Sequence, residues 1–248
     1  MIRELPINTF LKLHALNLLV CCLITPVYAG VFSVTPVRIY MTPKDKAVAV
    51  TITNESDEEL VMQADLYVWK QKPDGEDDLT LTEDMFLSPP IIKLAGKSHQ
   101  VVRLARLNRA TSEQQMTYRM IVREIPEAKP AKENIQLQIA LAFSMPVFIT
   151  PPGAKSKLDC IVARTAANSI NAVCENTGNA YAQPLDFELT NAAGDKLASR
   201  DTGGYILPAI KRTFDIKSAD KSIPGGKAKL TVRLDDGTKQ TFDVMLAE

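Results

Sequence analysis

The chain has 248 residues, with 46% hydrophobic and 23% charged side chains and a formal net charge of zero from 29 basic and 29 acidic groups. That composition is globular rather than disordered, and the balanced charge, with no long run of one sign, excludes the basic surplus that a nucleic-acid binder needs. The length allows one large domain or two smaller ones.

The first 29 residues read as a cleaved export signal. Arg3 and Lys12 precede the apolar run LNLLVCCLI, followed by Pro26 and a small-residue VYA site ending at Ala29. The run is too short to span a bilayer comfortably. It carries away Cys21, Cys22 and His14, and leaves the charge near balance. The remaining cysteines, Cys160 and Cys174, are expected to form one disulfide in an oxidising compartment.

Beyond the signal the chain reads as strands. Residues 31–41 (VFSVTPVRIYM) and 47–54 (AVAVTITN) alternate and are rich in β-branched residues. Residues 60–70 carry Trp69, the sole tryptophan, before a Pro73-Asp74-Gly75 turn signal. The acidic stretch at Glu76, Asp77 and Asp78, with Glu83 and Asp84, lacks calcium-loop spacing and reads as a solvated loop. Residues 98–107 and 116–125 are two more strands, the latter interrupted by Arg119.

Residues 135–149 (IQLQIALAFSMPVFI) put Ile135, Leu137, Ile139, Leu141 and Phe143 on one face and small or polar residues on the other. Parity alone does not say whether that face serves the chain's own core or a partner's. About seven strands separated by turns is the pattern of an immunoglobulin-like sandwich.

Residues 150–157 (TPPGAKSK) form a turn-rich boundary. Six further strands are expected at residues 158–164, 169–176, 185–190, 212–216, 228–234 and 240–246, with hairpin turns at Gly194-Asp195 and at residues 235–237. The predicted organisation is a signal at 1–29, a first domain at 30–150 and a smaller β-sandwich at 151–248.

Enzymatic chemistry is poorly supplied. His99 is the only histidine after the signal, with no carboxylate beside it in sequence. No metal site of the usual His/Cys kind can be assembled, no phosphate-cradling glycine loop is present, and no cofactor or small-molecule substrate is expected.

Several motifs carry a resemblance: TPVRIYM near the start, SPPIIKL at 88–94, VVRL at 101–104, VREIP at 122–126 and LQIAL at 137–141. In this order and spacing the chain resembles a divergent member of the periplasmic pilus chaperone family of the chaperone–usher pathway. The likeness covers nearly all of the first domain. The second matches in outline, through its strands and ENTGNAYAQP at 175–184.

The resemblance implies two immunoglobulin-like β-sandwich domains in a boomerang arrangement, located in the periplasm. It implies pilus subunits and an outer-membrane usher as partners, and a G strand donated to a subunit that lacks one. The donor face would be Ile135, Leu137, Ile139, Leu141 and Phe143. The family also anchors the subunit's C-terminal carboxylate with two basic residues. One matches Arg38; the other, a G-strand lysine, aligns with Pro146, so the chain departs from the family there. Arg119 and Arg123 are the candidates for the missing partner, and Arg119 reads equally well as a solvent-facing arginine. An exported adhesion or receptor-binding module of two such domains is the alternative, and an exported hydrolase a weaker third.

Overall fold

The computed structural model describes residues 32–72, 74–108, 112–126, 140–219 and 222–247. Residues 1–29, expected to be an export signal, and Ile135, Leu137 and Ile139 lie outside the described residues. Every helix or strand among the described residues is a strand, and they build two immunoglobulin-like sandwich units.

The first unit contains β1 (Phe32–Thr35), β2 (Ile39–Met41), β3 (Ala47–Asn54), β4 (Leu60–Gln71), β5 (Asp77–Leu81), β6 (Met85–Ser88), β7 (Ile91–Leu94), β8 (His99–Arg106), β9 (Met116–Glu124) and β10 (Ala142–Ile149). One sheet runs β1-β3-β8-β6; the other runs β2-β10-β9-β4-β5, with β7 also paired to β4. Alternation puts every second side chain inward. Val50, Ile52, Met62, Val102, Leu104 and Met120 meet between the sheets, none of them exposed.

Three expectations change. Residues 31–41 are two strands, because Pro36 has no N–H to continue a ladder. The chain there crosses from the four-stranded to the six-stranded sheet, and Arg38 lies just before β2. The acidic stretch is no loop at Asp77 and Asp78: both lie in β5 and pair with β4 across the turn at Gly75, whose φ of 86° favours glycine. The short β6 and β7, and β14 below, escape the alternation signal. Four residues are too few to establish a period, and β14 is mostly polar.

The second unit contains β11 (Leu158–Ala166), β12 (Ser169–Asn176), β13 (Pro184–Asn191), β14 (Lys196–Asp201), β15 (Lys211–Lys217), β16 (Gly226–Leu234) and β17 (Lys239–Leu246), in the order β11-β12-β15-β14-β13-β16-β17. β14 and β15 share a single bridging pair, Ser199 with Lys217. The sheet therefore folds there into two layers, with Phe187 and Phe214 packed 4.6 Å apart between them. Cys160 and Cys174 stand opposite each other on β11 and β12 and are joined by a disulfide.

Candidate functional site: an open strand edge and an arginine row

β10 is the centre of the site. Along one edge it pairs with β9 over its whole length, Ala142 to Ile149. Along the other it pairs with β2 only at Val147, Phe148 and Ile149. Among the described residues, no strand pairs with the outer edge of residues 142–146, which leaves main-chain groups available for another strand.

The inward face of β10 changes character at the same point. Met145, Val147 and Ile149 are buried in the chain's own core at 3%, 0% and 2% exposure. Phe143 and Leu141, on the same face, are 40% and 38% exposed. Phe143 meets β1, an outermost strand of the four-stranded sheet, at Phe32, with ring centroids 4.7 Å apart.

The opposite face of the six-stranded sheet looks towards the second unit. Pro146 pairs with Arg119 on β9, and Arg119 pairs with Tyr67 on β4. Val147 pairs with Ile39, so one step back along these parallel strands Arg38 lies beside Pro146. Pro146 is thus flanked by Arg119 on β9 and by Arg38 just before β2. β2 runs parallel to β10, so a strand added along residues 142–146 in that direction would end at Arg38.

Each arginine has an aspartate. Arg38 Nη1 donates to Asp235 Oδ2 of the second unit at 2.7 Å. Arg119 Nη2 lies 3.3 Å from Asp77 Oδ2, with its guanidinium 3.7 Å from the Trp69 ring centroid. The Arg119 side chain is only 13% exposed, so it is not the solvent-facing arginine its sequence setting allows. Its Nε is buried with no hydrogen-bond partner among the described residues. Burial pulls its pKa below the usual arginine range, with Asp77 opposing.

Arg38 and Arg119 both approach the Tyr205 ring, at 5.7 and 5.6 Å. Arg123 stands apart. It is four residues along β9 from Arg119, roughly 13 Å at strand rise, and is tied to Asp65 at 3.2 Å and the Tyr67 hydroxyl at 3.1 Å.

Aromatic rings and two glutamines hold the junction. Trp69, Phe148 and Leu207 are buried together, with Tyr181 stacked on Phe148 at 4.2 Å. The Tyr181 hydroxyl donates to Asp235 at 3.0 Å and lies 2.8 Å from the Tyr40 hydroxyl. Burial, the bond to Tyr40 and the Asp235 carboxylate all push the Tyr181 pKa up. Asn176, fully buried, donates to the carbonyls of Ala180 and Ile206 and so fixes the two segments that carry Tyr181 and Tyr205.

Gln71 of the first unit donates to the Tyr205 carbonyl and accepts from the Leu207 N–H. Gln115 accepts from the Tyr181 N–H in the same way. Nothing in the sequence marks Asp77, Asp235, Gln71 or Gln115 as residues of this site. Buried glutamines at strand ends carry no periodic signal. His99 is exposed at the start of β8, and no cluster of metal-ligating side chains occurs among the described residues.

A family model described as the pili and flagellar-assembly chaperone, PapD N-terminal domain, matches residues 31–155. No curated protein matches the chain in sequence. Solved structures do match in fold. A chain from the CsuC–CsuE chaperone–tip adhesion subunit pre-assembly complex of Acinetobacter baumannii Csu pili is 18% identical, with a TM-score of 0.63, covering 88% of this chain and 100% of that one. The YadV chaperone is 17% identical, TM-score 0.59, with coverage of 86% and 98%. A chain from the Salmonella enterica SafA pilin–SafB chaperone complex is 13% identical, TM-score 0.58, with coverage of 89% and 99%. These likenesses speak to the fold, and the family model, covering half of the chain, speaks to kinship: the chain belongs to the pili and flagellar-assembly chaperone family.

Proposed function

We propose that the protein is a non-enzymatic periplasmic chaperone that captures pilus subunits by lending them β10 and the stretch before it, then delivers them to an outer-membrane usher. The observation that carries this reading is the split of one strand face. Met145, Val147 and Ile149 fill the chain's own core, whereas Leu141 and Phe143 continue the same face outside it, beside an open edge. An immunoglobulin-like subunit lacking its last strand would gain main-chain hydrogen bonds from that edge and fill its groove with alternate side chains. Each large apolar side chain taken into the groove is worth about 1.5–3 kcal/mol, offset in part by the cost of ordering and association. Ile135, Leu137 and Ile139 extend the face in sequence.

The arginine row supports the same reading. A subunit strand running parallel to β10 would bring its C-terminal carboxylate to Arg38, the family's first anchor. We assign the second basic role to Arg119, because it faces Pro146 directly and shares Tyr205 with Arg38. The domain boundary falls between Ile149 and Leu158, and the disulfide suits an oxidising periplasm.

The test is recovery of the protein from periplasmic extract, with mass spectrometry of whatever elutes with it. A small β-rich subunit at one-to-one ratio is expected. A chain that elutes alone from pilus-producing cells would contradict the proposal.

A further inference from the structure

Of the three arginine–aspartate pairs at the site, two lie within one sheet: Arg119 on β9 with Asp77 on β5, across β4, and Arg123 on β9 with Asp65 on the adjacent β4. The third joins the two units, because Asp235 comes from the turn between β16 and β17. It meets Arg38 where the open edge of β10 ends. From this geometry we infer that Asp235 is a built-in competitor: it occupies Arg38 in the free chain and must yield the guanidinium when a strand with a terminal carboxylate docks along β10. The inference rests on the reading of Arg38 as the carboxylate anchor.

The pair is built for exchange. Contact is through one nitrogen, Nη1, and the Arg38 side chain is 34% exposed, against 13% for Arg119. Asp235 Oδ2 accepts from both Arg38 and the Tyr181 hydroxyl, so loss of Arg38 leaves the carboxylate one fixed donor. Asp235 also lines an open hollow of about 460 Å³ together with Lys155 and Thr238, which gives it room to turn away from Arg38. An incoming carboxylate that shared Arg38 with Asp235 would meet a like charge across one guanidinium, which disfavours both. Exchange relieves that repulsion. It also breaks an ion pair between the units, so capture and the contact between units are coupled at one side chain.

The test uses the full chain after signal removal, labelled with 15N-arginine. The probe is a short acetylated peptide of alternating valine and threonine ending in tyrosine, supplied with a free carboxylate and as the C-terminal amide. The Arg38 Nε–Hε resonance reports binding. Asp235→Asn keeps an oxygen for Arg38 and Tyr181 but removes the charge. It should bind the carboxylate peptide at least about fivefold more tightly than the natural chain, the low end of ordinary site coupling, with the amide unaffected. Tyr181→Phe, which frees Asp235 from its second donor, should shift the affinity in the opposite direction, because the released carboxylate pairs with Arg38 more closely. Equal carboxylate affinity in Asp235→Asn overturns the exchange while leaving the anchor intact. Weaker binding there also overturns it and makes Asp235 a residue that positions Arg38. If the carboxylate peptide moves no Arg38 resonance in either protein, the anchor reading itself fails. A thermal melt confirms folding of both variants.

Discussion

Arg38, Arg119 and Arg123 carry the same charge within one sheet, yet their surroundings assign them different work. Arg38, part-exposed, holds a partner across the junction. Such a pair contributes at most about 1 kcal/mol to folding. Arg38→Ala should leave the denaturant midpoint almost unmoved, while subunit capture in a pull-down falls at least about tenfold through loss of a charge-assisted bond. Arg119 lies over the Trp69 ring with its Nε buried. Arg119→Ala removes a desolvated cation–π contact and should cost about 2 kcal/mol of stability in the same denaturation series. Arg123, 42% exposed, should cost no more than about 0.5 kcal/mol. The sequence marks Arg119 as a charge interrupting an apolar strand. It does not place Trp69 and Tyr205 on that charge, because those contacts join residues 50 and 86 positions away.

At the scale of elements, β10 is legible as a strand from its alternation, but the ownership of its inward face is not. Parity groups Phe143 with Val147. Only the position of the neighbouring strands separates one that is exposed from one that is not. The two therefore make a matched pair of tests. Val147→Asp places a carboxylate in the chain's own core and should unfold the first unit, by several kcal/mol. Phe143→Asp, at the open edge, should leave the melting temperature within a few degrees and abolish capture, because a carboxylate cannot enter an apolar groove unpaired.

The Cys160–Cys174 disulfide is legible too: with Cys21 and Cys22 in the expected signal one pairing remains, and the two cysteines fall on neighbouring predicted strands, which the structure places directly opposite each other on β11 and β12. Protein taken from the periplasm should show no free thiol on labelling under denaturing conditions. Replacing both cysteines with alanine should cost about 3 kcal/mol, from the entropy of a loop of this length. The strands that sequence pattern does not reveal, β5, β6, β7 and β14, are short or polar, and long-range pairing rather than local pattern holds them in their sheets.

At the scale of the whole molecule, the two units meet through an aromatic cluster flanked by polar clamps, and Trp69 is a natural reporter of that contact. It is 1% exposed among Phe148, Tyr205 and Arg119. Gln71→Leu would strand the Leu207 N–H and the Tyr205 carbonyl, at about 1–3 kcal/mol for a buried group left unpaired. The expected readout is a red shift of Trp69 emission at denaturant concentrations that leave the natural chain unchanged. Two sandwiches and their order along the chain follow from turn signals and strand spacing. The junction does not, because it is built from single residues at strand ends and in loops.

Strand donation is the central claim, and amide hydrogen exchange along residues 135–146 tests it most directly. The protein would be measured alone and in complex with the subunit recovered from the periplasm. Main-chain bonds to a subunit strand would protect this segment strongly in the complex, beyond any gain on the four-stranded sheet or the second unit. Unchanged exchange over residues 135–146, with protection appearing on another face, would contradict donation and return the apolar face of β10 to the chain's own use.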